Sequence, residues 1–226
     1  MVDEFALLLL ESPWWLPREN PLRASCLPFF QGLERLHDGF NIYYSTFYDT
    51  PGFESALAQD LIHTSEKRQI LYIGAHGQRS SIADGRATAI LSKVSQHGRR
   101  IGGVIISSCN VAEREENLIE LLVESKINWV FGYTRSIDWL ASVLLELAIV
   151  ESLVGTTAEF DENEYLLLET ISSALRKFNP NAAFGSNSEP LLECIRLVQR
   201  PKFKQYPIDL TSKLATIAWK MEILFD

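Results

Sequence analysis

The sequence predicts an α/β fold: a mostly parallel central sheet flanked by helices on both faces, with a helical C-terminal extension. Three observations predict it. Short apolar runs alternate with helix-period segments through the first two thirds of the chain, the sign of successive βαβ units. Several of those runs are continuously apolar, as strands covered on both faces require. The 226 residues, 46% of them hydrophobic, carry a net charge of −8 and a mean hydropathy of zero, a composition that buries a sizeable core and rules out disorder.

Each element has its own signal. Phe5 to Leu10 reads as the first strand, and Pro13 to Pro21 as a turn region. Ala24 to His37 has helical spacing and ends near Gly39. Asn41 to Tyr48 is aromatic and polar by turns, which suits a second strand. Thr50, Pro51 and Gly52 introduce a helix over Phe53 to Ile62. Gln69 to Ala75 is a third strand, and it ends in His76 and Gly77. The polar stretch Gln78 to Gly85 leads to a helix over Arg86 to Gln96, stopped at Gly98. Val104 to Ser108 is a fourth strand ending in Cys109. A helix over Val111 to Ser125, a fifth strand over Asn128 to Tyr133 and a long helix over Asp138 to Leu153 close this block.

Beyond Gly155 the pattern changes. Glu162 to Phe178, Pro190 to Gln199 and Leu210 to Leu224 read as helices, and Asn179 to Ser188 as a polar loop. Neither an internal repeat nor a convincing linker is present. The expected organisation is a core over residues 1–155, with residues 156–226 forming a helical extension packed on the same domain.

Composition also excludes functions. A pI near 5.1 argues against a generic phosphate-binding surface and hence against nucleic acid as a partner. Cys26, Cys109 and Cys194 are odd in number and include no CxxC pair, so neither a disulfide framework nor a zinc knuckle fits. Asp3 and Glu4 stand where a secretory signal carries positive charge. The apolar stretch Ile137 to Leu153 contains Asp138, Glu146 and Glu151, and is too short for a membrane span. A cytoplasmic protein without membrane contact is expected. HExxH, P-loop, GxSxG and GxGxxG patterns are absent, so no metal and no cofactor is expected.

Two strands end in residues of catalytic type. In a parallel sheet the carboxyl ends of the strands line one edge, where ligands bind. Strands joined by one crossover helix are usually adjacent, about 4.8 Å apart. His76 and Cys109, 33 residues apart in sequence, therefore face each other across a cleft, where a thiol and an imidazole can act on one carbonyl. Singly, such a cysteine reads as a core residue and such a histidine as a structural hydrogen-bonding group. Their conjunction on consecutive strands, with glycine after the histidine, favours chemistry. Asn110 and Glu113 read as an N-cap and N3 pair, which puts Cys109 at a helix N-terminus, a position that favours thiolate. Glu113, Glu115 and Glu116 are expected to face solvent.

The paired strand ends Ile73–Gly77 (IGAHG) and Val104–Cys109 (VIISSC) resemble those of the caspase-like peptidases of clan CD, among them caspases, metacaspases, gingipains, clostripain, separase and bacterial CHAT-type proteases. Phe131 to Trp139 (FGYTRSIDW) before a long helix resembles the CHAT-type branch more than animal caspases. The resemblance spans roughly Phe5 to Leu153. It implies a cysteine endopeptidase with Cys109 as nucleophile and His76 as general acid and base. It also implies an oxyanion hole from the N–H groups of Gly77 and Cys109. Ser107 and Ser108 replace the caspase Gln-Ala pair, no Gly follows soon after Cys109, and the 33-residue spacing is shorter, so the resemblance leaves caspase-type Asp specificity open. For the P1 pocket, Arg79 and Arg135 would bind an acidic side chain, and Asp84 or Asp138 a basic one; both readings stay open. Kinship further implies a protein substrate, co-encoded in some cases, a regulatory sensor, and a role in bacterial defence or regulated cell death. The alternatives are a catalytically inactive caspase-like interaction module and a small-ligand sensor of flavodoxin-like topology, for which Glu11 to Trp14 offers little phosphate-binding character.

Overall fold

The computed structural model describes residues 4–13, 25–202 and 206–222. The expected turn at Pro13 to Pro21 and the end of the last helix at Leu224 fall largely outside them. A seven-stranded sheet forms the centre. Its strands are β1 (Phe5–Glu11), β2 (Phe40–Thr46), β3 (Arg68–Gly74), β7 (Ile101–Ser107), β8 (Trp129–Tyr133), β9 (Ile195–Gln199) and β10 (Ile208–Asp209). They lie in the order β10-β9-β8-β7-β3-β1-β2, parallel from β2 to β8, with β9 and β10 antiparallel at one edge.

The period of two decides which side chain meets which helical layer. Phe5, Leu7 and Leu9 of β1, Ile70 and Tyr72 of β3, and Trp129, Phe131 and Tyr133 of β8 share one core with α1 (Leu27–Glu34), α5 (Trp139–Leu153), α6 (Glu164–Leu175) and α8 (Thr211–Glu222). Ala6, Leu8, Leu10, Leu71, Ile73, Val104, Ile106 and Val130 face the other layer. That layer holds a helix at Thr50–Ser55 (α2), which continues as a π-helical turn over Ala56–Leu61, together with α3 (Ala87–His97) and α4 (Glu115–Glu124). Both sheet faces are covered, which is why these strands carry unbroken apolar runs. Among the described residues no helix is long and apolar enough to cross a membrane.

The helix expected over Pro190 to Gln199 is corrected. Only Leu191–Cys194 (α7) is helical; Ile195–Gln199 forms β9 and pairs with β8 along its whole length. A short apolar run does not distinguish strand from helix by period, and the open edge of β8 supplies the partner that decides it. The C-terminal third thus adds two strands as well as helices. The polar stretch after His76 is also more ordered than expected, a small antiparallel sheet of β4 (Gly77–Gln78), β5 (Ser81–Ile82) and β6 (Gly85–Arg86).

A buried ion pair anchors the C-terminal third. Arg68 at the start of β3 donates through Nε and Nη2 to Asp161, at 2.9 and 2.8 Å, and Trp129 Nε1 donates to the same carboxylate at 2.8 Å. Arg68 and Asp161 are each only 2% exposed, and the guanidinium lies over the rings of Phe5 and Phe160. Asp161 therefore belongs to the core and not to the solvated helix start that its acidic neighbourhood suggests.

Candidate active site

The chain leaves β1 for β2 on one side and then crosses to β3 on the other, so the strand order reverses between β1 and β3. Crevices form outside the carboxyl ends of strands at such a point. A cavity of about 540 Å³ opens there, lined by Glu11 and Ser12 after β1, Gly74, Ala75 and His76 after β3, Ser107, Ser108 and Cys109 after β7, and Ile137, Asp138 and Trp139 before α5.

The two strand ends that carry His76 and Cys109 are tied together. The parallel register runs to Gly74 opposite Ser107. Beyond it the Ala75 N–H donates to Ser107 O at 3.1 Å, and the Ser108 hydroxyl donates back to Ala75 O at 2.7 Å. Gly77 then packs directly on Cys109: a Cβ there would lie 2.6 Å from Cys109 O and 2.9 Å from Cys109 N. No side chain fits, so glycine is the residue this backbone approach demands. His76 is exposed at the rim and Cys109 half-buried.

The Cys109 sulfur is held by the segment after β8. The Ile137 N–H donates to Sγ at 3.5 Å, the Ser136 hydroxyl at 3.8 Å, and the thiol reaches Ile137 O at 3.9 Å. The segment is itself supported from the loop over 179–190, where Gly185 bridges Ile137 and the Ser186 N–H donates to Ser136 O at 2.9 Å. Asn110 does not cap a helix as its spacing with Glu113 suggests. Its backbone is left-handed, at φ +60°, its side chain makes no cap bond, and a 3-10 turn over Val111–Glu113 separates Cys109 from α4.

Of the residues read as pocket candidates, Asp138 lines the cavity and accepts the Ala141 N–H as N-cap of α5. Arg79 and Arg135 do not line it. Arg79 points to Glu113 in an exposed ion pair at 2.6 Å, and Arg135 donates to Thr134 O.

Two carboxylates escaped the sequence reading. Glu11, 5% exposed, lines the cavity and accepts the Ser25 hydroxyl at 2.6 Å and the Cys26 N–H at 2.8 Å. It follows an apolar strand directly, as His76 and Cys109 nearly do, so the same strand-end rule would have found it. Glu146, wholly buried on α5, lies behind the cavity wall and accepts from Tyr72 Oη at 2.6 Å; its Oε1 has no hydrogen-bond partner among the described residues. Burial pushes its carboxyl up to about 7, against the opposing influence of the Tyr72, Ser107 and Tyr133 hydroxyls. Nothing in its apolar surroundings in sequence marks it. Burial also raises the other two thiols, Cys26 well above its usual value and Cys194 to about 11. Among the described residues no group of three or more His, Cys, Asp or Glu side chains could hold a metal ion.

No family model and no curated protein matches the sequence. Two crystal structures of a secreted C11 cysteine protease from Bacteroides thetaiotaomicron are similar in fold. The first, described as "iotapain", has a TM-score of 0.51 at 13% identity, over 98% of this chain and 70% of that one. The second, in complex with an irreversible peptide inhibitor, has a TM-score of 0.55 at 12% identity, over 96% and 69%. The chain therefore has the caspase-like fold, a mostly parallel sheet between two helical layers.

Proposed function

We propose that the chain is a caspase-like cysteine endopeptidase acting through Cys109 and His76. The observation that carries this reading is the contact between Gly77 and Cys109, which joins the two strand ends where an oxyanion hole would form. In the proposed reaction Cys109 gives its thiol proton to His76 as Sγ attacks the scissile carbonyl carbon, and the N–H groups of Gly77 and Cys109 receive the negative oxygen. His76 protonates the leaving amine as the C–N bond breaks, leaving an acyl-enzyme. It then takes a proton from water, whose attack breaks the C–S bond and releases the acid, and returns that proton to the Cys109 sulfur.

The cavity favours a cationic side chain on the residue before the scissile bond. Glu11 and Asp138 line it, and among the described residues no Arg or Lys lines it to balance them. Arg79 and Arg135, the candidates for an acidic side chain, lie elsewhere. The substrate is then a protein with an accessible Arg or Lys, co-encoded or otherwise. A place in the CHAT-type branch, a triggering sensor, a cytoplasmic setting and a role in defence or cell death complete the proposal, supported by the resemblance of Phe131 to Trp139.

The test is labelling with a peptidyl electrophile bearing Arg at P1. The expected result is rapid, single-site modification of Cys109, slowed at least about 100-fold in His76→Ala and absent in Cys109→Ala. Cys26 and Cys194 are buried with raised thiols and serve as internal controls. Labelling of Cys109 no faster than of those two, in a folded protein, would favour the inactive interaction module.

A further inference from the structure

A second cavity of about 340 Å³ lies outside the cleft, between the start of α3 and the start of α4. Ser80, Arg86, Ala87, Thr88, Arg114 and Asn117 line it, and among the described residues no carboxylate does. Arg86 and Arg114 are both exposed, and neither guanidinium has a hydrogen-bond or ion-pair partner among the described residues. Arg68, Arg79 and Arg196 each have a carboxylate, whereas Arg35, Arg99 and Arg176, like Arg86 and Arg114, have none among the described residues; what sets Arg86 and Arg114 apart is that they line one cavity together. Two guanidinium groups thus share one concavity without a carboxylate partner among the described residues. The other lining groups, two hydroxyls and a carboxamide, can all donate.

We propose that this cavity binds a compact phosphate-type oxyanion, free or carried on a side chain. Guanidinium groups match the oxygens of phosphate through paired N–H bonds, and two of them compensate a dianion. The first turn of α3 adds a smaller attraction through its dipole. Compactness follows from the neighbouring cavity, which shares Arg114 and Asn117 but is bordered by Glu113 and Glu116. An extended polyanion would meet those carboxylates. The site also draws on both chain segments that carry the dyad: Ser80 and Arg86 follow His76, and Arg114 and Asn117 follow Cys109. A bound anion would brace the two segments against each other, so its effect on hydrolysis rests on the peptidase reading, whereas its binding does not.

The experiment is titration of the whole chain with inorganic phosphate and with a phosphoserine peptide, read by calorimetry. It is run at about 0.15 M salt, where exposed charges beyond about 8 Å are screened. Saturable one-to-one binding is expected, weakened at least about tenfold in Arg86→Gln and in Arg114→Gln, the loss of one charged hydrogen-bonding group each. Arg99→Gln, an exposed site elsewhere, changes the net charge equally and should leave binding intact. Phosphopeptide binding at least tenfold tighter than phosphate would mark the anion as chain-borne; equal affinities would mark it as free. Absence of saturable binding by the wild-type chain, or equal affinity in both Gln variants at unchanged thermal midpoint, would overturn the site. Either result leaves the Cys109 labelling test unaffected, so the two proposals fail separately.

Discussion

Gly77 and Cys109 touch backbone to backbone, with no room for a methyl group between them. Gly77→Ala would place a carbon 2.6 Å from Cys109 O, and the strand ends must part to admit it. Electrophile labelling of Cys109 and peptide hydrolysis should fall by about 100-fold, the scale of a lost oxyanion donor, while circular dichroism keeps its α/β shape. Full reactivity in Gly77→Ala would remove the proposed oxyanion arrangement.

Glu11→Gln keeps one acceptor oxygen for the Cys26 N–H, leaves its amide N–H to donate to a re-oriented Ser25 hydroxyl, and removes the charge facing the cavity. Hydrolysis of Arg and Lys substrates should lose about tenfold or more in kcat/KM, with reactivity toward a small neutral alkylating agent unchanged. A fall in both would point to a structural role.

Glu146 makes stability depend on pH. Its folded value, about 7, lies above the ordinary 4.5, so the folded chain holds a proton that the unfolded chain releases. The contribution is fully present below about 4.5 and is lost as pH rises to about 7. The gap of about 2.5 units corresponds to roughly 3 kcal/mol at most. Urea denaturation should show the wild-type chain losing stability over that window relative to Glu146→Gln, and a parallel pair of curves would refute the assignment.

Asp161→Ala should cost about 3–5 kcal/mol in urea denaturation, because it leaves Arg68 charged and buried without its carboxylate. Arg79→Ala, which breaks an exposed pair, should cost less than about 1 kcal/mol.

Asn110 holds φ +60° directly after the nucleophile candidate. Asn110→Gly should be neutral within about 0.5 kcal/mol, and Asn110→Val should destabilise by about 1–3 kcal/mol, since β-branched residues rarely enter the left-handed region.

Much of the fold was legible because strands buried on both faces advertise themselves as apolar runs. Phe5 to Leu10, Gln69 to Ala75 and Val104 to Ser108 fall on β1, β3 and β7 to within a few residues. The strand β9 was not legible, since five residues fit either period until an open edge decides between them. The 3-10 turn after Cys109 was hidden for a similar reason: Asn110 has the side chain of a helix cap, and only its left-handed backbone excludes that role.

For the candidate site, the sequence by itself determined which residue types end the strands: His76 and Gly77 on one, Cys109 on the next. Rules of chain crossover then brought them to one edge. The tertiary structure alone decided what surrounds them. It turned Arg79 toward Glu113, set Ser136 and Ile137 against the Cys109 sulfur, and placed Glu11 on the cavity wall and Glu146 behind Tyr72. Strand order and burial bring together residues 135 positions apart, and charge at such a site depends on desolvation, which has no local signature in the chain.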